Sequence, residues 1–548
     1  MEKNTILALI IIGLVLLLWP VYMKKIAGVK ELPQKQVVES EVQKTDDLNT
    51  KEDQKLSSKP AETVPLSIRS DHGVDYFTRE AKNPDTVVVE TDLFRGKLSS
   101  AGGGTIVSWK LKKYNGNEGE WVELVPDSGF GNLGIILGMD LSHTVFDVEF
   151  DTLGAKKTYR FVHEFKDGGR IEKAFFIQNG TYSVDLEVRL ISLYRSAYGE
   201  GYTVQWAFGL SPTEKNIKDD EQFYQAYALQ GGEILKTKEK STDLKQGVTD
   251  WVAIRTKYFI VAIIPREPKG QAAKLEGKGK TMIPYGQDLR VEWKKLTAQL
   301  VMPLENTPDQ AGQFSLYLGP MDYPQLKALG AQVEKTMNFG MAIIRPFSIA
   351  FYYTLQFLYT IVHNYGWAIV IFSILIKIVL HPLTRKSFQS MRAMQELQPK
   401  VEALREKYKN DTQRMNQETM KLYKQHGVNP MGGCLPVLLQ MPVLFALFNL
   451  FRTTIMLRQA SFLGLIKDLS APDGMIGGKI HVLPILMGIT MVIQQKQSTQ
   501  NPQQKAMAYF MPIFMVFIFY RLSAGLNLYY LMFNILTIAH ELIIKKHK

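Results

Sequence analysis

The stretch that most constrains this chain is Gly366 to Pro382, GWAIVIFSILIKIVLHP, a run of large apolar residues with one lysine, Lys377, set inside it. Trp367 suits an interfacial anchor at one end, and His381, Arg385 and Lys386 mark the other. At about 1.5 Å per residue, Lys377 falls roughly 15 Å below Trp367, near the middle of a hydrocarbon layer about 30 Å thick. An ionisable side chain at that depth is costly unless it meets water or a partner, which makes it a candidate functional residue. The blander reading is a tilted helix whose lysine snorkels to the nearby basic end. The reading carried forward is a polar cavity.

The rest of the 548 residues leaves room for several domains. The net charge of +12 does not point to nucleic acid, because the basic residues form no single block and many flank apolar runs. That distribution suits a cytoplasmic membrane surface. One cysteine, Cys434, excludes a disulfide framework and any multi-cysteine metal site. Ile6 to Met23 is too long for a signal-peptide core and lacks a small-residue cleavage site, so residues 1–25 read as an uncleaved transmembrane anchor. Residues 26–73 are rich in Lys, Glu, Gln, Ser and Asp with few aromatics, and read as a flexible linker.

From about Val74 the pattern alternates. Val184, Leu186, Val188 and Leu190 share one face, with Asp185, Glu187 and Arg189 on the other. Thr86–Glu90, Tyr159–Phe165 and Tyr258–Ile264 are further strands, and Asp167-Gly168-Gly169 is a hairpin turn. The expectation is a large extracytoplasmic β-sandwich over 74–320. It carries no catalytic constellation. Gly279-Lys280-Thr281 ends like a phosphate loop, but Lys274 stands where the first glycine belongs, and His163-Glu164 lacks the second histidine of a zinc helix.

Residues 321–365 return to helical spacing and read as connecting and interfacial amphipathic helices, with 346–362 lying in the outer interface. Residues 384–427 hold ten Lys or Arg against five Asp or Glu and read as a cytoplasmic helical hairpin, broken at Asn410-Asp411. Further spans follow at 429–451, 481–493, 506–520 and 525–544. The whole reads as an α-helical polytopic membrane protein with six transmembrane helices, both termini cytoplasmic and the β-domain outside. Within it, 366–548 forms a five-helix core. Arg452, Arg458, Lys467 and Lys479 fall on the wrong side for the positive-inside rule, partly offset by Asp468 and Asp473.

The last span carries Asn527, Tyr530, Asn534, Thr537 and Glu541 at spacings that keep them within about 80° of one face. Ser373 lies one turn from Lys377, and Gln440 sits between Pro436 and Pro442. Ordinary interhelical hydrogen bonding explains the asparagines. It does not explain Lys377, for which no deep acidic partner is evident, so the reading is a hydrated groove open to the cytoplasm. Several spans are also short of about 20 residues, which implies local bilayer thinning.

These residues carry a resemblance. Lys377-Ile-Val-Leu-His-Pro-Leu-Thr384, Leu397-Gln-Pro-Lys400, Asn429-Pro-Met-Gly-Gly-Cys-Leu-Pro436, Gln440-Met-Pro442 and Ser523-Ala-Gly-Leu-Asn-Leu-Tyr-Tyr530 look like the YidC/Oxa/Alb membrane-protein insertases. The leading anchor and β-domain resemble the Gram-negative form. The resemblance implies an insertase and folding chaperone of the bacterial inner membrane, not an enzyme, acting alone or beside the Sec translocon. It implies no cofactor and no metal. Its partners would be nascent membrane-protein clients, the Sec translocon, membrane lipids and the ribosome, the last weakly through so short a basic tail; nucleic acid would not be bound directly. Lys377 stands where the family usually has arginine, Ser373 matches a hydroxyl position, and Tyr530 matches a substrate-contacting tyrosine. The groove set is therefore Lys377, Ser373, Gln440, Asn527, Tyr530 and Asn534. The competing class is a small-solute transporter or channel with a midplane cation site, for which internal repeats would be expected and none is seen.

Overall fold

A computed structural model describes residues 83–126, 131–153, 156–166, 168–237, 239–285, 289–428, 435–475, 480–498 and 502–546. The expected first anchor, the linker, Cys434 and Asp167 lie outside them.

Among the described residues eighteen strands pair, every pair antiparallel, in one sheet of four strands and one of fourteen. The alternation in Ser183–Ile191 is realised residue by residue: Val184, Leu186, Val188 and Leu190 point into the core. Each such side chain contributes about 1.5–3 kcal/mol on burial. The turn before Arg170 closes through Gly168, whose φ of 84° favours glycine. The large sheet folds back on itself. Lys173, on the strand Arg170–Ile177, donates to the Leu133 carbonyl across the fold. Tyr202, on Gly201–Trp206, lies over Gly312, which leaves no room there for a side chain. Trp109, Trp206, Trp251 and Trp293 fill the interior. Lys280 of the apparent phosphate loop is inside the strand Gly270–Tyr285 and pairs with Glu221 at 2.7 Å, so it forms no such loop.

Helix α1 (Ile217–Phe223) projects from this domain, with Asn216 accepting a hydrogen bond from the Asp219 amide. Then come α2 (Tyr323–Ala328), α3 (Arg345–Val362) and α4 (Tyr365–Glu396). The next are α5 (Gln398–Lys407), with Pro399 in its first turn, and α6 (Thr412–Gln425), capped by Asp411. The last four are α7 (Leu435–Thr453), α8 (Val482–Ser498), α9 (Pro502–Phe519) and α10 (Ala524–Lys546). The sequence reading set a boundary at 384, but α4 runs on through Pro382 to Glu396. Residues 386–428 group separately from the rest of the described chain. Inside that unit, α5 and α6 pack together, Leu397 and Val401 are buried, and Lys400 meets His426 at 3.2 Å.

Tyr365–Pro382 and Ala524–Ile543 are long and apolar enough to cross a membrane, and Val482–Gln495 and Tyr509–Phe519 are shorter apolar segments. Large aliphatic and aromatic side chains stand exposed along these helices: Ile374, Leu375, Ile378 and Val379 on α4, and Phe510, Ile513 and Phe517 on α9. Such continuous apolar surface is unfavourable in water and suits lipid.

The β-domain is fastened to the helical part by charge. Arg458, its side chain 2% exposed, donates to Glu214 at 2.7 Å and to the Thr213 carbonyl at 3.4 Å. Arg452, at the end of α7, donates to Asp219 at 3.0 Å and also to Gln222. Asp219 takes a second hydrogen bond, from Lys257, at 2.7 Å. Burial acts to raise the Asp219 carboxyl, but Lys257 and Arg452 together hold it below the usual range. Its neighbour Asp220 accepts from the Thr213 and Lys257 amides, and burial together with Glu214 pushes it up to about 7. Two of the four basic residues that broke the positive-inside pattern thus have carboxylates waiting for them in the folded domain.

Candidate functional site

The Lys377 region is built by pinning two helices at one end. Asn364 caps α4 by accepting from the Gly366 and Trp367 amides, while its own amide donates to the Ser461 carbonyl. Gly366 lies against the Phe462 ring, with which a Cβ would collide. The start of α10 docks on the same loop, the Ala524 and Gly525 amides donating to the Ala471 and Leu469 carbonyls. Lys377 is twelve residues into α4 and Thr537 thirteen into α10. The common anchor therefore brings both to a depth of roughly 18–20 Å along their helices.

There they meet. The Lys377 ammonium donates to the Thr537 hydroxyl at 2.6 Å and sits 4.7 Å from the Phe533 ring. Because α10 stays helical to Lys546, Glu541 keeps its place on the same stripe one turn beyond Thr537, near the end of the apolar segment Ala524–Ile543.

The other predicted residues are distributed around this point. Ser373 is buried one turn away and donates to its own helix at the Ile369 carbonyl, 2.7 Å. Gln440 is half-buried on α7, which packs against α3 and α10. Asn527 donates to the Phe519 and Leu522 carbonyls and closes the end of α9. Asn534 donates to Thr490 on α8 at 3.3 Å. Tyr530 is buried against Phe519 and Tyr529, its hydroxyl without a hydrogen-bond partner among the described residues. The polar stripe of α10 therefore divides. Asn527 and Asn534 turn to α9 and α8, while Thr537 turns to Lys377.

Thr537, which meets Lys377, is the residue that the initial groove set omitted. The signal was present in the spacing of the stripe. What the spacing could not supply was which of the surrounding helices each residue meets.

Two family models match the chain: residues 86–349 match the YidC periplasmic domain and 357–548 the 60Kd inner membrane protein. A membrane protein insertase YidC from Pelodictyon phaeoclathratiforme is 36% identical, covering 100% of this chain and 95% of the relative. This chain belongs to the YidC family of membrane protein insertases. The YidC of Chlorobium limicola is 34% identical over 99% of this chain and 94% of its own length. A solved YidC structure described as an active insertase with its first transmembrane domain resolved covers 84% of this chain and 93% of its own, at 18% identity and a TM-score of 0.38. Within the YidC family the strands described above fall in the periplasmic domain, and Lys377 with α7–α10 falls in the inner-membrane segment.

Proposed function

We propose that this chain inserts client transmembrane segments through a hydrated, cationic groove centred on Lys377, alone or beside the Sec translocon, and assists their folding. The observation that carries the reading is a half-buried ammonium placed deep between two apolar helices. A charge there is expensive, and a site that keeps it has a use for it. In a wet recess the ammonium attracts acidic residues near the translocating end of a client and offsets part of their desolvation cost. The hydroxyl of Tyr530, buried without a hydrogen-bond partner among the described residues, would meet a polar group of the passing segment only once the segment uncovers it. Six spans, both termini in the cytoplasm and a locally thinned bilayer complete the proposal. The basic residues of α5 and α6 suit early capture of clients at the cytoplasmic surface.

The test is reconstitution of the purified protein alone into liposomes with a small single-span client. Protease-protected insertion of the client supports the proposal. Solute flux without insertion would instead establish the transporter reading and overturn it.

A further inference from the structure

Where the β-domain meets the helices, a cleft of about 430 Å³ lies between them. Lys113 and Tyr114 reach it from the end of the strand Thr105–Asn115, and Asp322 from the turn before α2. Tyr365, the first residue of α4, and Arg458 and Gln459, from the loop after α7, complete it. The parts are tied together. The Gln459 amide donates to the Asn115 and Gly116 carbonyls at 3.1 and 3.4 Å, which fastens the loop to the strand. Tyr365 is stacked on Tyr359 at 4.1 Å, and Tyr114 stands edge-on to Phe259 at 5.6 Å. The cleft is thus a formed site of the size that takes a small polar group.

Its charges are of both signs and do not meet. Arg458 is already held by Glu214. Lys113 is exposed and makes no ion pair among the described residues. Asp322 accepts from the Tyr352 hydroxyl on one carboxylate oxygen, while the other accepts no hydrogen bond among the described residues. The hydroxyls of Tyr114 and Tyr365 likewise make none. A cation and an anion that line one cleft without pairing, with two hydroxyl donors between the protein and the space, fit a ligand that itself carries both charges.

The surroundings say where such a ligand comes from. Tyr365 is two residues from Trp367 and four from Ile361, and both of these are exposed. Phe462 packs on Trp367 at 5.5 Å, and its neighbours Leu463 and Leu465 are exposed as well. An exposed tryptophan among exposed aliphatic side chains at the start of an apolar helix marks the level of lipid headgroups. From this geometry we infer that the cleft binds the headgroup of a phosphoethanolamine lipid. The phosphate takes Lys113 and the tyrosine hydroxyls, the ammonium takes Asp322, and the acyl chains run along the apolar side chains outside. A primary ammonium brings N–H donors to the carboxylate, whereas a phosphocholine has none and a phosphoglycerol lacks the cation. The inference rests on the seam and is independent of the reading of Lys377.

The experiment is native mass spectrometry of the full-length protein in micelles holding equal amounts of phosphatidylethanolamine, phosphatidylcholine and phosphatidylglycerol with identical chains. Wild type is expected to retain one phosphatidylethanolamine roughly tenfold over either competitor, the factor that about 1.4 kcal/mol produces. Asp322→Asn keeps an acceptor for Tyr352 and should erase that preference. Lys113→Gln, at an exposed position, should lower retention of all three lipids together, and Lys113→Arg should restore it. Free O-phosphoethanolamine at the lipid's concentration should not displace the lipid. If wild type retains phosphatidylglycerol best, or shows no preference, the inference is overturned. It is equally overturned if the preference survives both Asp322→Asn and Lys113→Gln, because the retained lipid then sits elsewhere. Displacement by free O-phosphoethanolamine, mole for mole, would make the ligand a soluble zwitterion and remove the lipid assignment. Should Asp322→Asn fail to fold, the headgroup preference of wild type and the two Lys113 variants decide alone.

Discussion

Arg458 and Lys377 are both basic side chains removed from bulk water, and they are held in opposite ways. Arg458 is closed into a seam with a direct carboxylate at 2.7 Å, a backbone carbonyl, and the rings of Tyr258 and Phe259 around it. Lys377 rests on a hydroxyl and a ring face. The first arrangement satisfies a planar fork from several directions and leaves it little reason to move. The second leaves a point charge partly exposed. One cation thus closes a seam between domain and helices, and the other is the charge on which the proposed function rests.

The largest effect should come from breaking the seam. Arg458→Leu leaves the largely buried Glu214 without its guanidinium, and losing one partner of a buried pair costs up to about 3–5 kcal/mol. Thermal unfolding of the full chain in detergent should fall accordingly, and Glu214→Leu in the same background should recover part of the loss. Deleting the β-domain from 83 to about 320 is expected to be milder for insertion than Arg458→Leu, because Arg452 and Arg458 then return to water. Complete loss of insertion by a stably expressed deletion would mean that the domain does more than dock.

The seam and its domain should also respond to pH. Asp220 is pushed up to about 7 by burial and Glu214. Between its ordinary value near 4 and about 7, the folded chain holds a proton that the unfolded chain releases, so stability falls as pH rises. Lys173 is pushed down to about 7 by burial. Between about 7 and its ordinary value near 10.4, the unfolded chain holds the extra proton, so stability rises with pH. Each arm has a slope of at most about 1.4 kcal/mol per pH unit. Tryptophan fluorescence during unfolding reads it, since Trp109, Trp206, Trp251 and Trp293 all lie in the β-domain core. Asp220→Asn should flatten the lower arm and Lys173→Met the upper. A lower arm unchanged by Asp220→Asn would place the seam's pH response elsewhere.

A smaller effect belongs to the asparagines that line the bundle without serving Lys377. Asn527→Leu removes the donor to the Phe519 and Leu522 carbonyls and should cost about 1–3 kcal/mol of stability. Insertion by the folded fraction should be unchanged and indifferent to the charge of the client tail. A tail-dependent defect would return Asn527 to the groove.

Much of this architecture is written in local pattern. The two-residue period of Val184 to Leu190 marked a strand and its buried face, and the apolar run around Lys377 marked a helix. The seam was half legible. Arg452 and Arg458 stood out as charges on the wrong side, but Glu214 and Asp219 lie more than 230 residues away in the chain, and no periodicity connects them. Lys173 was invisible for a different reason. In Arg170–Ile177 it sits on the strand as one more charged residue, and only the folded-back sheet shows that it is buried. On α10 the spacing correctly grouped five polar residues, yet a helix with neighbours on several sides shares even an 80° fan among them.

The central claim is that Lys377 acts on clients through its charge. The measurement is the insertion rate of one client with an acidic or a neutralised translocated tail, in wild type, Lys377→Arg and Lys377→Leu, all in proteoliposomes. Lys377→Arg should remain close to wild type for both tails. Lys377→Leu should slow the acidic tail roughly fivefold, as a net loss of about 1 kcal/mol would, and spare the neutral one. Equal slowing of both tails by Lys377→Leu would contradict the account, because it would make the lysine a structural residue of the bundle.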